Sequence, residues 1–249
     1  MSERIAFCCV LLMSLAVMGG PTAATLPAAP PQGVTGELWA RLTALDAKAA
    51  AIDDLTANFQ QQKFTPLLKK PMVSSGTVLV KGQAMLWKTT DPQPTSMRVD
   101  EKQVSLYYPQ EKIVEIYPVT GELSALASSP LPRLAMLVKH FHFAPATAKE
   151  MGLDEEPATQ ALRLTPSEPS LRQHVERVTV LIDGQRGFMV ACELIDADGE
   201  RTLIRFSHVK VNVSLDEAAL RLELPPDVKQ VHPLESLGSP PSEVPATSL

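Results

Sequence analysis

Residues 74–94, SSGTVLVKGQAMLWKTTDPQP, contain the pattern that decides the fold. Two short apolar runs, TVLV and AMLW, flank a Lys81-Gly82 turn, and Pro92 and Pro94 interrupt the chain after the second run. Short runs bounded by turn residues are typical of paired β-strands. Trp87 falls at the end of the second predicted strand, just before the break. It either fills the core of an ordinary β-domain or lies at the mouth of a cavity that holds an apolar ligand.

Similar short runs continue on both sides of this stretch, from residue 56 to 119 and again from 161 to 226. Apolar and polar residues alternate in some of them: Met97 and Val99 flank Arg98, so these strands have one apolar and one polar face. Asp183-Gly184 and Asp198-Gly199 are hairpin signals. About six strands, a helical insertion and about five strands predict a barrel or a strongly curved antiparallel sheet.

Two helices are predicted beside the sheet. Residues 35–55 repeat apolar side chains at helical spacing after Thr35, a suitable N-cap. In SSPLPRLAMLVKHFHF, residues 128–143, an apolar stripe of Leu134, Leu137, Val138 and Phe141 predicts a second, shorter helix. The acidic stretch that follows is interpreted as a linker or a short helical turn.

The ends of the chain predict an exported protein. Residues 1–24 have the layout of a signal peptide cleaved near Ala24, and residues 25–33 form a short leader. Residues 34–231 form one domain, and the Pro- and Ser-rich residues 232–249 form a disordered tail. Removal of the signal leaves Cys192 as the single cysteine, which excludes an intramolecular disulfide. Its mid-strand position predicts a buried, inert thiol.

Composition and motifs argue against several function classes. The chain has a formal net charge of −5, which argues against the basic surface that a nucleic-acid binder needs. There is no G-x-S-x-G nucleophile motif and no Gly-rich phosphate loop. His140-x-His142 lacks a third metal ligand at a convincing spacing, and the acidic residues 196–200 are better explained as a hairpin turn. We therefore predict no catalytic residue, no metal and no cofactor.

Five segments follow one another along the chain: Phe59-Gln60-Gln61, the hairpin GTVLVKGQAMLWK, Tyr108-Pro109, the helical SSPLPRLAMLVK and the closing LELPPDVKQV. Their order resembles that of the periplasmic carriers of outer-membrane lipoproteins, the LolA-like family. Together they cover about residues 36–231. The last of them is interpreted as a closing strand with a Pro-Pro turn.

This resemblance implies a mainly β fold, an unclosed antiparallel β-barrel (half-barrel) covered by a helical lid. It also implies a monomeric periplasmic carrier that needs no cofactor and performs no reaction. Such a carrier takes an acylated lipoprotein from an inner-membrane exporter and passes it to an outer-membrane receptor. Three alternatives stay open: a relative that carries another lipid, an envelope interaction or sensor module with a filled core and no cargo, and a lipid hydrolase.

Strand alternation then assigns the side chains that line the cavity. They are Leu79, Met85, Trp87, Met97, Val99, Leu106, Tyr108, Met136, Leu137, Val180, Val190, Ile204 and Phe206. Leu38 and Leu42, with Leu134 and Val138 from the helix at 131–139, are assigned to the lid. A register error of one residue would move the whole set of a strand to the other face.

The lid latch of the family is absent from its usual position. The family usually places an arginine directly before the proline that follows the Leu-Trp strand, and this arginine donates to backbone carbonyls of the lid. Asp91 stands there in this chain. A carboxylate cannot donate to a carbonyl, so Arg98 and Arg133 are the candidates to replace the latch.

Overall fold

The structure is a computed structural model that describes residues 29–31, 34–118, 130–131 and 134–233, without the side chains of residues 135 and 136. The expected signal peptide, most of the expected leader and nearly all of the expected tail lie outside the described residues.

Three α-helices and twelve strands make up the described chain. The helices are Gly36–Ala50 (α1), Leu134–His140 (α2) and Pro169–Arg172 (α3). The strands are Asp54–Phe64 (β1), Met72–Lys81 (β2), Ala84–Asp91 (β3), Thr95–Val99 (β4), Gln103–Tyr108 (β5), Ile113–Pro118 (β6), Phe141–Ala146 (β7), Thr159–Pro166 (β8), Val175–Asp183 (β9), Met189–Asp196 (β10), Arg201–Val211 (β11) and Lys229–Val231 (β12).

All twelve strands belong to one sheet, in the order β12-β6-β5-β4-β3-β2-β1-β11-β10-β9-β8-β7. Neighbouring strands are antiparallel except for β12, which pairs with β6 in parallel. The sheet is not closed, since β12 and β7 are its two ends. The prediction of a mainly β, unclosed half-barrel is thereby confirmed.

Helix α1 covers one face of this sheet, which we call the inner face. The hydroxyl of Thr35 accepts a hydrogen bond from the backbone N–H of Leu38 and so caps the helix, as predicted. The buried stripe of α1 is Leu38, Trp39, Leu42, Leu45 and Ala49. The prediction of an amphipathic helix is confirmed.

Two contacts fix the C-terminal end of α1. Gly187, in the β9–β10 hairpin, has φ +84° and packs so closely that an added Cβ would lie 2.7 Å from Cβ of Lys48. The side chain of Asn212 donates to the carbonyl of Ala51 at 3.1 Å and accepts from the N–H of Asp53 at 2.8 Å. The sheet therefore holds this end of the helix firmly.

The opposite, outer face is partly covered by the segment that follows β11, residues 212–231, which we call the C-terminal arm. The buried carboxylate of Asp54 accepts the backbone N–H groups of Val213 and Leu215. A 3₁₀ helix, Glu217–Leu220, packs against β2 and β3, and β12 then pairs with the edge of β6. The arm thus spans from the middle of the sheet to one end.

A second patch of the outer face is covered by the 3₁₀ helix Ala148–Met151. Its Met151 packs with Leu181, Ala191 and Leu203. The guanidinium of Arg201 donates to the carboxylate of buried Glu193 at 2.5 Å. The outer face is therefore only partly exposed, which differs from the simple apolar-in, polar-out expectation.

Three predictions about elements were wrong. Phe141, assigned to the stripe of the second helix, is the first residue of strand β7, which was not predicted. The run at residues 218–226 is not a strand, because it begins inside the 3₁₀ helix Glu217–Leu220, and the chain returns to the sheet only in β12. Trp87 does not end its strand, because β3 continues to Asp91.

Candidate ligand-binding interior

The inner face of the sheet and the two longer helices meet in one apolar cluster, which we call the interior. It extends from β5 and β6 across the sheet to β7. Most of the predicted lining residues are buried in it. They are Met85, Trp87, Met97, Val99, Leu106, Leu137, Val180, Ile204 and Phe206. Tyr108 and Val190 are partly buried against it.

The predicted lid residues share this interior. Leu38 and Leu42 of α1 and Leu134 of α2 are buried members of the cluster, and Val138 of α2 packs against it. The two helices also contact each other. The structure is thus a closed form, in which side chains of α1, α2 and the sheet bury one another.

Leu79 does not belong to the interior. Its neighbours Val78 and Val80 are buried there, so alternation along β2 places Leu79 on the outer face. The assignment was therefore wrong by one residue. Met136 lies in α2, but its side chain is outside the described residues.

An aromatic group forms the centre of the interior. The rings of Trp87 and Phe59 have centroids 4.2 Å apart, and Phe206 meets Trp87 edge-on at 6.0 Å. Gly76 lies on β2 beside Phe59, at a bulge where an added Cβ would clash with the carbonyl of Lys88. Trp87 is only 4% exposed. It fills the centre of the interior and does not stand at a rim.

Several interior residues were missed by the sequence analysis. Phe59 lies in a run, LTANF, whose alternation was visible, whereas Phe141 and Phe143 were hidden by the helix interpretation. The signal for the latter two was the period of two in FHF. The interior therefore extends further across the sheet, to its β7 end, than was predicted.

One ionisable group interrupts the apolar wall near the other end. Glu115 on β6 is buried, and its carboxylate accepts a hydrogen bond from the hydroxyl of Tyr117 at 2.9 Å. The hydroxyl of Tyr108 lies 3.4 Å from the same oxygen. A buried carboxylate needs such donors, because removing it from water is otherwise costly. Glu115 thus gives the interior a polar point, which no motif had indicated.

Arg98 does not replace the lid latch. It alternates with the interior residues Met97 and Val99, which places it on the outer face, and its guanidinium lies 3.2 Å from Asp100. This candidate was wrong, and Arg133 lies outside the described residues. The C-terminal residue of α2 contacts the residue that precedes α3. Nδ1 of His140 lies 2.7 Å from the carboxylate of Glu168.

The remaining candidate residues for chemistry are placed in structural roles. His142 is exposed on β7 and points away from the interior, to which Phe141 and Phe143 contribute. Asp196 accepts backbone N–H groups of Asp198 and Glu200, which confirms the hairpin turn. Among the described residues, no group of three or more His, Cys, Asp or Glu side chains is arranged to hold a metal ion.

Cys192 is buried, as predicted, and its side chain belongs to the interior. Burial, with a smaller contribution from Glu193, raises the pKa of the thiol to about 12. A thiol in this state is a poor nucleophile, because the thiolate is the reactive form.

The helices of the described segments are all too short or too polar to cross a lipid bilayer.

Comparison with known proteins gives a family and a shared fold. The family model for the outer membrane lipoprotein carrier protein LolA matches residues 50–222, well over half of the chain. No curated protein matches the sequence significantly.

Solved structures are similar at low identity. An uncharacterized conserved protein from Thermus thermophilus is 12% identical, with 79% of this chain and 99% of that chain covered at a TM-score of 0.52. A LolA superfamily protein from Nitrosomonas europaea is 13% identical, covering 74% and 97% at 0.39. The lipoprotein LppX from Mycobacterium tuberculosis is 15% identical, covering 71% and 97% at 0.41. At its identity and TM-score, the Thermus thermophilus structure supports the fold alone.

Proposed function

Because the chain belongs to the LolA family of outer membrane lipoprotein carrier proteins, we propose that it binds acyl chains of lipoproteins or a related lipid in its interior. It would act without a cofactor and without a chemical step, carrying them across the periplasm from an inner-membrane exporter to an outer-membrane receptor. The signal peptide proposed for residues 1–24 would bring it to that compartment.

One observation carries this proposal: a continuous apolar interior lies between an unclosed sheet and two helices. Each methylene that enters such an interior from water gains about 0.8 kcal/mol. A few acyl chains would therefore offset the cost of separating a helix from the sheet.

The two helices are held differently, and this suggests which one opens. The C-terminal end of α1 is fixed by Gly187 and Asn212. Helix α2 is only seven residues long and passes directly into β7. We expect α2 to move away from the sheet when acyl chains enter, while α1 stays in place.

The first experiment is native mass spectrometry of the protein purified from its own host, followed by organic extraction. Co-purifying acylated peptides would support the lipoprotein carrier. Free fatty acids or phospholipids alone would favour a carrier of another lipid. An empty protein that also takes up no fluorescent acyl probe would favour the rival, an interaction module with a filled core. Esterase activity would favour a lipid hydrolase.

A variant pair tests the role of α2. Val138→Asp puts a carboxylate on the side of α2 that packs against the interior, and we expect it to weaken acyl-probe binding by about tenfold or more, since a charge in an apolar site is costly. Val73→Asp is the matched control, because Val73 is exposed on β2. Equal probe binding by both variants would contradict the proposed site.

A further inference from the structure

The connection between β1 and β2 exposes two adjacent leucines. Residues 65–71, TPLLKKP, form this connection, which we call the β1–β2 loop. Leu67 is 90% exposed and Leu68 is 50% exposed. Single exposed leucines are common on protein surfaces, but adjacent ones at a loop tip are the kind of apolar feature that marks an interaction site.

The β1–β2 loop has a defined shape. The backbone N–H of Leu68 donates to the carbonyl of Thr65 at 3.1 Å, and Pro66 and Pro71 restrict the chain on either side. The leucines are therefore held outward by a turn, at the far end of β1 from the Asn212 contact with α1.

The charge of the β1–β2 loop is opposite to that of the whole protein. Lys69 and Lys70 follow the leucines directly and are exposed, although the formal net charge of the chain is −5. Close by, Lys63 and Glu200 form an ion pair at 2.5 Å, which leaves that carboxylate neutralised. The exposed Asp91, the last residue of β3, and the exposed Asp198, in the β10–β11 turn, lie at the same end of the sheet, so the positive charge is confined to the loop itself.

We propose that the β1–β2 loop docks the protein on an anionic lipid bilayer. Leu67 and Leu68 enter the boundary between headgroups and acyl chains, and Lys69 and Lys70 contact lipid phosphates. Exposed apolar side chains beside lysines are the combination that gives interfacial binding, because apolar burial and attraction to anionic lipid add together. Two leucines and two lysines make this contact weak and reversible.

Such docking goes beyond the binding of acyl cargo in the interior. The β1–β2 loop connects two strands whose inner faces form part of the interior. Docking would therefore bring one end of the interior to the membrane surface. It needs no protein receptor to recognise the bilayer. The loop can act in this way whether or not the interior carries a lipid.

The test measures sedimentation of the protein, purified from its own host, with two kinds of vesicle. One kind contains phosphatidylcholine and phosphatidylglycerol, and the other contains phosphatidylcholine alone. We expect binding to the anionic vesicles that falls about tenfold in the double variant Leu67→Asp, Leu68→Asp. The double variant Lys69→Glu, Lys70→Glu should lose a similar factor and the preference for phosphatidylglycerol.

Leu224→Asp is the matched control, since Leu224 is an exposed leucine of the C-terminal arm. It should bind the anionic vesicles as the wild type does, and all variants should keep the wild-type unfolding midpoint. Absence of vesicle binding by the wild type would overturn the proposal. So would equal binding by the loop variants and the control, or self-association that the leucine variant abolishes without any vesicle binding. Val138→Asp should leave vesicle binding unchanged, which separates this proposal from the function of the interior.

Discussion

At the scale of single residues, Trp87 packs against Phe59 and Phe206 in the interior and is almost fully buried. Trp87→Ala should lower the free energy of unfolding by about 3–5 kcal/mol, because it removes apolar contacts and leaves a cavity. Urea denaturation measures this change. Leu67→Ala, at an exposed position, should stay within about 0.5 kcal/mol of the wild type. A loss below about 1 kcal/mol for the tryptophan variant would show that the centre repacks.

Asp183 gives the stability of the protein a defined pH dependence. Burial pushes its pKa upward, but hydrogen bonds from Arg186 and from the backbone of Gln185 outweigh this and leave the pKa below its ordinary value. A lowered folded-state pKa stabilises the protein above the unfolded-state pKa, and this stabilisation is lost as the pH falls through the folded-state pKa.

Asp183→Asn should therefore be less stable than the wild type at neutral pH, with the difference shrinking as the pH is lowered to about 3. Thermal unfolding across this range measures both proteins. A difference that stays constant with pH would mean that the carboxylate titrates equally in the folded and unfolded states.

Residue-level prediction from the sequence succeeded where polar residues marked the face. Met97 and Val99 flank Arg98, and the structure buries the first two in the interior. In the run TVLV every position but the first is apolar, so alternation could not choose between Leu79 and its neighbours. Glu115 was missed because its burial, and the approach of Tyr108 from the neighbouring strand, appear only in the fold.

At the scale of elements, two hairpin glycines with similar φ angles differ in whether another element packs against them. Comparing their alanine variants distinguishes the cost of the backbone conformation from the cost of a steric overlap. Gly187 (φ +84°) packs against α1, whereas Gly199 (φ +81°) has open space around the position of a Cβ. Gly199→Ala should cost about 1 kcal/mol of unfolding free energy for the left-handed conformation. Gly187→Ala should cost about 1–3 kcal/mol more, because the added methyl overlaps the helix. Equal losses in chemical denaturation would mean that the hairpin does not hold α1 closely.

Most helices and strands could be predicted from the local pattern of apolar and polar residues. The elements that could not be predicted have physical causes. Strand β7 begins directly after α2, so its apolar residues continued the helical stripe and no turn residue marked the change. The short β12 pairs in parallel with β6, far away in the sequence, and a strand of three residues has no periodicity to detect. Pairing partners, rather than composition, decide such elements.

At the scale of the whole molecule, Cys192 is a reporter of opening. Its thiol lies in the closed interior with a pKa of about 12, so a thiol reagent at pH ~8 should react very slowly. Acyl cargo that displaces α2 should change this rate, and unfolding in guanidinium chloride should raise it to that of a free thiol. A chain that begins at residue 25 has no other cysteine. Fast labelling without cargo would show that the closed form opens readily by itself.

The position of β1 in the sheet has a consequence for how the protein is made. Strand β1, the first strand among the described residues, lies inside the sheet with β11 as one of its two neighbours. Strand β12 covers an edge only after the C-terminal arm has crossed the outer face. Pairing between such distant segments gives a high contact order and slow folding. Synthesis must reach β11 before β1 can acquire both neighbours. The growing chain therefore cannot complete its sheet before β11 is made, and until then it lacks the full domain that would prevent its passage through a narrow channel.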